Sequence, residues 1–316
     1  MNIRLALALA AVFISFNIFS APISHLFIKV HDENGKPVEG ANVQGGFSTL
    51  MRSYVPGPDV KAITDKEGEA EIYGPAYFSV YFDVIKNGYY KSGKKVIVKQ
   101  DKDQNVAIVL RQIINPIPMY AKHYTGYIPK SKVKIAFDFL KGDFVKPFGR
   151  GTNKDCYFYY DGFTKNFRSF EGELTISFPH KSDGIIGLVN DNGLFSAFKL
   201  PHTAPINGYI KAKQLNYKRI EKGKDSYYDI NINESENFGY FLRIRSEVDS
   251  NGEVIKANYV KIAGDFKFDP RSEGKGAAYI EMTYYLNPNI NDRNMEFDTS
   301  KNLMKGLKNL EKINAP

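Results

Sequence analysis

Alternating hydrophobic and polar positions dominate the chain, and a period of two is typical of β-strands with one buried face. In the run Ser24–His31, the apolar residues Leu26, Ile28 and Val30 recur at every second position. Turn sequences rich in Asp, Asn and Gly separate such runs at Asp32–Gly35, Asp65–Gly68 and Asn87–Gly88. Strands and turns at this short spacing predict an antiparallel β-sandwich.

The same pattern continues beyond the first hundred residues. Further strand-like runs are Val96–Gln100, Val106–Leu110, Lys132–Phe139, Cys156–Tyr160, Glu173–Phe178, Tyr240–Val248, Glu253–Ile262 and Ala277–Leu286. Asn251 and Gly252 predict a tight hairpin turn because both tolerate positive φ. The two prolines of Ile114–Pro118 do not suit a central strand, and we interpret this stretch as a linker.

The expected fold class is therefore all-β, with two β-sandwich-type domains. The first would span residues 22–114, and the second, a larger antiparallel sandwich or jelly roll, would span residues 115–316. One helix is predicted over Ser300–Ile313, where Leu303, Leu307 and Leu310 form one stripe and lysines form the opposite stripe. This short C-terminal helix would pack its leucines on a sheet.

Residues 1–21 differ from the rest of the chain. After Arg4, the run Leu5–Phe19 is apolar except for Ser15 and Asn17, which is the length and composition of a signal-peptide core. We predict a signal peptide, and therefore a secreted, periplasmic or cell-surface protein. Phe19 and Pro22 depart from the usual cleavage pattern, so an uncleaved anchor stays open as the alternative.

A family pattern lies in the stretch KVHDENGKPVEGANV and the turn that follows it. The positions that carry it are Val30, Asp32, Gly35, Pro37, Val38, Gly40, Ala41, Val43, Thr64, Asp65, Gly68 and Ala70. On these positions, residues 25–110 resemble the carboxypeptidase regulatory-like modules, which are transthyretin-like β-sandwiches. The resemblance implies a non-catalytic module of a secreted or surface protein.

Three segments of the second part also resemble known sequences. These segments are Gly142–Gly151, Tyr259–Phe266 and Tyr284–Asp298. They are similar to the C-terminal part of uncharacterised bacterial secreted proteins that carry the same kind of module. This resemblance implies no activity.

The composition of the chain limits the kinds of function that it can have. The 316 residues are 43% hydrophobic and 25% charged, with a formal net charge of +8, so the length suggests two domains with a real core. No block of five like charges occurs, which argues against a nucleic-acid partner. Cys156 is the single cysteine and cannot form an internal disulfide.

Catalytic motifs are absent from the sequence. No histidine is followed three residues later by Glu, as zinc carboxypeptidase chemistry requires, and His180-x-x-Asp183 is the nearest match. No G-x-S-x-G nucleophile motif occurs. A metal site built from His180, His202 and Cys156 stays open, because spacing cannot show whether they meet. No cofactor is expected.

One loop has the spacing of oxygen ligands for a cation. Asp101, Asp103 and Asn105 give D-x-D-x-N, the opening of a calcium-binding loop, and they are the candidate metal ligands. The glycine and terminal glutamate of such a loop are missing. A plain hairpin turn is therefore the favoured interpretation.

Two pairs of residues are candidates for ligand binding. In the strand-like run CYFYY, alternation places Tyr157 and Tyr159 on one face, where they could stack on a sugar. The lack of tryptophan weighs against sugar stacking, and buried aromatic packing is the favoured alternative. Arg243 and Arg245 also share one strand face and could bind an anion. A solvated face paired with acids on a neighbouring strand is the more common arrangement.

The sequence thus favours an exported, non-enzymatic binding or structural protein of the cell envelope or extracellular space. Its partner would be a glycan or an envelope protein, and the sequence does not indicate the oligomeric state. The alternative is a secreted glycan-active hydrolase with a carboxylate pair in the second domain, about 5–9 Å apart.

Overall fold

The computed structural model describes residues 22–48, 56–99, 102–189, 196–223, 227–231, 237–272 and 274–316. The predicted signal peptide over residues 1–21 lies outside this part of the chain. The all-β class is confirmed, with four β-sheets and only a single 3₁₀ turn among the described residues. None of these residues forms a helix with the length and apolar character of a membrane span.

Two four-stranded sheets form in the N-terminal part of the chain. Their strands are β1 (Ile23–Asp32), β2 (Asn42–Ser48), β3 (Pro56–Ile63), β4 (Glu69–Pro75), β5 (Ser79–Ile85), β6 (Tyr89–Tyr90), β7 (Ser92–Ile97) and β8 (Gln104–Gln112). One sheet has the order β4-β1-β8-β6 and the other has the order β3-β2-β5-β7.

Two six-stranded sheets form in the C-terminal part. Their strands are β9 (Ile117–Ile128), β10 (Ile135–Asp138), β11 (Asp143–Phe144), β12 (Cys156–Asn166), β13 (Ser169–Ser177), β14 (Gly184–Val189), β15 (Ala212–Glu221), β16 (Tyr227–Asn231), β17 (Asn237–Val248), β18 (Val254–Asp269), β19 (Ala278–Asn287) and β20 (Phe297–Asn302). The sheet orders are β11-β10-β12-β13-β15-β16 and β14-β17-β18-β19-β9-β20.

Contacts between residues divide the chain into two compact units. Unit 1 comprises the chain up to Lys86 together with Gly93–Ile108, and unit 2 comprises Asn87–Ser92 and Val109–Pro316. The division expected between residues 114 and 115 stays a prediction.

The core of unit 1 follows from the alternation along β1. Leu26, Ile28 and Val30 are buried as predicted, with at most 1% of each exposed. The turn after β1 is closed by Asp32, whose Oδ1 accepts hydrogen bonds from the backbone N–H groups of Asn34 and Lys36, each at 2.9 Å. An aspartate that bonds to the backbone in this way stabilises a tight turn between strands.

The core of unit 2 is rich in aromatic rings. Phe137 lies at its centre and makes edge-to-face contacts with Tyr124, Phe144 and Phe158 at centroid distances of 4.9, 5.5 and 6.0 Å. All four side chains are at most 8% exposed, and strands of both six-stranded sheets contribute to the cluster. Edge-to-face pairs add to the stabilisation from burial because a positive ring edge meets a negative ring face.

The predicted hairpin at Asn251-Gly252 is confirmed. It joins β17 to β18, with Val248 opposite Val254. Gly252 has φ +84°, which a residue without a Cβ adopts without strain. Asp249 closes the turn by accepting the N–H group of Asn251 at 2.9 Å.

The predicted C-terminal helix over Ser300–Ile313 is wrong. Its first residues belong to β20, which pairs in parallel with β9. The side-chain amide of Asn302 accepts a hydrogen bond from the Ala121 N–H group and donates one to the Ala121 carbonyl. Only Asn309–Glu311 forms a 3₁₀ turn. Leu310 is 88% exposed, so the leucine stripe is not buried. Tertiary hydrogen bonds to β9 outweigh the local helical pattern here.

Candidate binding surface

The outer face of the sheet that contains β12 carries two neighbouring tyrosines. Along this strand, Cys156, Phe158 and Tyr160 point into the core and are at most 2% exposed. Tyr157 and Tyr159 are half-buried and point the other way, as the sequence predicts. Residues two apart on a strand lie on one face, about 6.8 Å apart.

Strand register places small polar side chains beside these tyrosines. On β13, Ser177 is opposite Tyr157 and Thr175 is opposite Tyr159, and on β15, Gln214 is opposite Thr175. We call this surface the tyrosine platform. Its members are Tyr157, Tyr159, Glu173, Thr175, Gln214 and Asn216, and the Ser177 hydroxyl beside Tyr157 is buried. Adjacent strands lie about 4.8 Å apart, so the three strands span roughly 10 Å.

Hydrogen bonds arrange the polar side of the platform. Gln214 donates its Nε2–H to Oε1 of Glu173 at 2.9 Å, and the Thr175 hydroxyl lies 3.5 Å from the same oxygen. Neither Tyr157 nor Tyr159 has a hydrogen bond from its hydroxyl to any described residue. Both phenols are therefore available to a ligand as donors and acceptors.

Two carboxylates lie at one end of the platform. Asp161 on β12 is directly opposite Glu173 on β13. The Asp161 side chain is 46% exposed, and its Oδ1 lies 3.5 Å from Nζ of Lys132. Asp161 is therefore open to solvent on this sheet face.

The two candidate arginines have separate partners within unit 2. Arg243 donates from Nε to the Ser182 carbonyl at 2.7 Å and from Nη1 to the Ile206 carbonyl at 2.8 Å. Arg245 makes a two-point ion pair with Asp155, at 2.7 and 2.9 Å. Both guanidinium groups therefore hold segments of the protein together, and a joint role in anion binding stays a prediction.

The buried aspartates next to Arg245 organise a loop. Asp138 accepts hydrogen bonds from the backbone N–H groups of Leu140 and Thr152, both at 2.9 Å. Burial alone would raise the pKa of Asp138, but backbone donors, with Asn153 first among them, bring it below the usual value. Burial raises the pKa of Asp155, and the ion pair with Arg245 opposes that effect.

Both carboxylates are fully buried, and their oxygens are occupied by protein donors. Asp138 and Asp155 are thus an acid pair in the second unit, but not one that faces a substrate cleft. Their bonding pattern is that of a structural anchor for residues 139–154.

The proposed calcium loop is described only in part, because Asp101 lies outside the described residues. Asp103 is paired with His25, whose Nδ1 lies 3.2 Å from its Oδ1, and Nε2 of His25 contacts Glu71. The hydrogen bond to Glu71, with Asp103 adding to it, raises the pKa of His25. Asn105 lies on β8 with an exposed side chain.

Within the ranges that the structure describes, no three His, Cys, Asp or Glu side chains are placed to hold a metal ion. Cys156 packs in the aromatic core, and its burial raises the pKa of the thiol well above the usual value. A site that joins Cys156 to His180 and His202 is therefore not formed.

Sequence reasoning found the tyrosines of the platform but missed their polar neighbours. Thr175 lies on β13, the strand that directly follows β12, and Gln214 lies on β15, further along the chain. Alternation along β13 and β15 indicates which side chains point outward. Only the register between strands shows that Thr175 adjoins Tyr159 and that Gln214 adjoins Thr175.

No protein-family model matches the chain, and no curated protein matches its sequence. Among solved structures, a chlorocatechol 1,2-dioxygenase from Pseudomonas putida overlaps 29% of this chain and 61% of its own, at 14% identity and a TM-score of 0.25. The minor pilin of Streptococcus agalactiae overlaps 31% of this chain and 48% of its own, at 18% identity and a TM-score of 0.24.

A candidate carbohydrate-binding protein from Bacteroides uniformis overlaps 83% of this chain and 99% of its own, at 11% identity and a TM-score of 0.20. The chain spans about three fifths of the length of the dioxygenase. Scores this low assign neither a family nor an activity to the chain, and the functional argument therefore rests on its own surfaces.

Proposed function

We propose that the protein is an exported, non-enzymatic glycan-binding protein and that the glycan lies on the tyrosine platform of unit 2. The observation that carries the proposal is the pair Tyr157 and Tyr159, which project from one face of β12. Thr175 and Gln214 lie on the next two strands of the same sheet. The apolar run Leu5–Phe19 supports export.

The chemistry of this surface suits sugars. A sugar ring has an apolar C–H face that packs on an aromatic ring, and hydroxyl groups that need hydrogen-bond partners at its edge. Tyrosine offers both an apolar face and a polar tip. The hydroxyl of Thr175 beside Tyr159, and the amide of Gln214 one strand further on, add donors and acceptors.

The shape of the surface favours an extended ligand. Small molecules are usually held in concave pockets that bury most of their area. An open face across β12, β13 and β15 instead allows several sugar units to lie along or across the strands. We therefore propose a polysaccharide or a long oligosaccharide as the ligand class.

The test is a glycan array with the full protein, followed by affinity measurements on the ligands found. The double variant Tyr157→Ala/Tyr159→Ala is compared with Tyr73→Ala, which removes a 64% exposed tyrosine from unit 1. Each aromatic contact contributes roughly 0.5–1.5 kcal/mol. The double variant is therefore expected to bind roughly 10- to 100-fold more weakly, and Tyr73→Ala is expected to bind normally.

A blank array would refute glycan binding. Glycan binding that survives the double variant but is lost in Tyr73→Ala would place the ligand elsewhere on the protein.

The hydrolase alternative has one observation in its favour, because Asp161 and Glu173 are direct neighbours across two strands. Mass spectrometry of each bound glycan after incubation with the protein tests this alternative. We expect intact glycan. Release of shorter products by the protein, and its loss in Glu173→Gln, would replace the binding function with catalysis.

A further inference from the structure

Unit 2 contains a cavity of about 860 Å³ that is separate from the tyrosine platform. Its walls are formed by β9, β18, β19, residues 197–200 and residues 310–316. A volume of this size is typical of sites for small organic molecules.

The wall formed by residues 310–316 is held in place by specific contacts. The Tyr285 hydroxyl donates to the Ala315 carbonyl at 3.1 Å, and Lys122 forms an ion pair with Glu311 at 2.9 Å. Ile313 is only 9% exposed. These contacts fix residues 310–316 as one wall of the cavity.

The charged side chains that line the described cavity are basic. Lys199, Lys261 and Lys312 contribute to its wall, and no Asp or Glu among the described residues does so. Lys199 and Lys312 are exposed, whereas Lys261 is 1% exposed. The cavity wall thus contains one buried and two exposed basic side chains.

Lys261 is held between aromatic rings. Its Nζ lies 4.2 Å from the ring centroid of Tyr285 and 4.8 Å from that of Phe198. It donates one hydrogen bond, to the Met295 carbonyl at 2.8 Å. An ammonium group has three N–H donors, and Lys261 makes no other hydrogen bond to the described residues.

The nearest acid does not neutralise this lysine by direct contact. Glu296 influences Lys261 through its charge, but its carboxylate accepts hydrogen bonds from the Tyr90 hydroxyl at 2.7 Å and from the N–H groups of Ile114 and Asn115 at 2.9 and 2.6 Å. Burial lowers the pKa of Lys261 to about 7, and Glu296 opposes that effect only in part. A buried, incompletely paired cation of this kind is stabilised by an anionic ligand.

We propose that this cavity binds a small organic carboxylate with an apolar or aromatic body, and that Lys261 binds the carboxylate group. The apolar lining, which includes Leu200, Ala263 and Ile313, fits the body of such a molecule. The described cavity wall contains no arginine and no helix N-terminus, which are the usual elements of phosphate sites. A monoanionic carboxylate therefore fits better than a phosphate.

The test is isothermal titration calorimetry with 3-phenylpropionate, its neutral amide and inorganic phosphate. We expect saturable binding of the carboxylate and little or none of the amide or phosphate. Lys261→Met keeps an unbranched side chain that is one atom shorter and removes the charge, and it is expected to weaken binding at least tenfold. Lys165→Met, which changes an exposed lysine of the β12 strand, is the matched control and is expected to leave binding unchanged.

A second variant keeps Lys261 and fills the space in front of it. Ala263→Leu adds a larger side chain to the cavity wall and is expected to block binding of 3-phenylpropionate. Circular dichroism shows whether the fold is retained in each variant.

The pH dependence of binding adds an independent readout. Between pH 6.5 and pH 8.5, affinity is expected to decrease roughly tenfold as Lys261 loses its proton, and Lys261→Met is expected to abolish this decrease. The other ionisable groups near the ammonium or in the cavity wall are Arg111, His123, Lys199, His202, Tyr285, Glu296 and Lys312.

Three results would overturn the proposal. They are the absence of saturable carboxylate binding, equal affinity for the acid and its amide, and unchanged affinity in Lys261→Met. Preferential binding of phosphate would also contradict the proposed ligand class.

Discussion

The buried ammonium of Lys261 leads to a quantitative prediction about stability. Its pKa is lowered from 10.5 to about 7 in the folded protein, mainly because burial disfavours the charged form. The unfolded chain keeps the usual pKa, so between pH 7 and pH 10.5 the unfolded state binds more protons than the folded state. Stability therefore increases with pH across this window and is lowest below pH 7.

The size of the effect follows from the two pKa values. One pKa unit corresponds to about 1.4 kcal/mol, and the folded form is half protonated at pH 7. From pH 7 to pH 9, this lysine should add about 2 kcal/mol to the free energy of unfolding. Lys261→Met removes the titrating group, so the difference between wild type and variant should change by this amount over the same range.

The assay can be confined to unit 2. The chain has no tryptophan, but its single cysteine, Cys156, is 1% exposed in the core of this unit. Pulsed thiol labelling across a urea series therefore reports unfolding of unit 2, and wild type and variant are compared at each pH. Lys165→Met is the control and should follow the wild type.

An equal dependence of stability on pH in wild type and Lys261→Met would refute this reasoning. It would mean that Lys261 remains protonated in the folded state, which requires a closer counter-charge than Glu296 provides.

Two further predictions concern the ion pairs. Arg245→Met leaves the buried carboxylate of Asp155 without its cationic partner and should destabilise unit 2 by about 3–5 kcal/mol. Changing both residues to apolar ones should restore much of this loss. Urea unfolding of both variants measures the two effects. Glu71→Ala removes the main hydrogen bond that raises the pKa of His25, so an NMR titration should show this pKa moving down towards 6.5. An unchanged value would assign the effect to other groups.

Alternation along single strands was enough to predict local structure in this protein. It placed Leu26, Ile28 and Val30 in a core, and it placed Tyr157 and Tyr159 on the opposite face from their neighbours. The reason is local, because successive side chains of a strand point to opposite sides whatever the strand pairs with. The turn residues also act locally, and the hairpin at Asn251-Gly252 was therefore predictable from its own sequence.

The helix prediction failed because the segment pairs instead with β9, a strand that is distant in sequence. The leucine spacing over Ser300–Ile313 satisfies a helical pattern, but the backbone of β9 offers β20 a pairing partner about 180 residues away. A short isolated helix has little intrinsic stability in water, so a tertiary alternative of this kind can prevail.

Tertiary structure alone decided the chemistry of the two candidate sites. Register across three strands brought Thr175 beside Tyr159 and Gln214 beside Thr175. Chain folding buried Lys261 between Phe198 and Tyr285. The sequence by itself determined which residues face inward and where the strands turn. It could not determine which distant residues meet, because that depends on sheet order and on the free energy of burying each charge in its final surroundings.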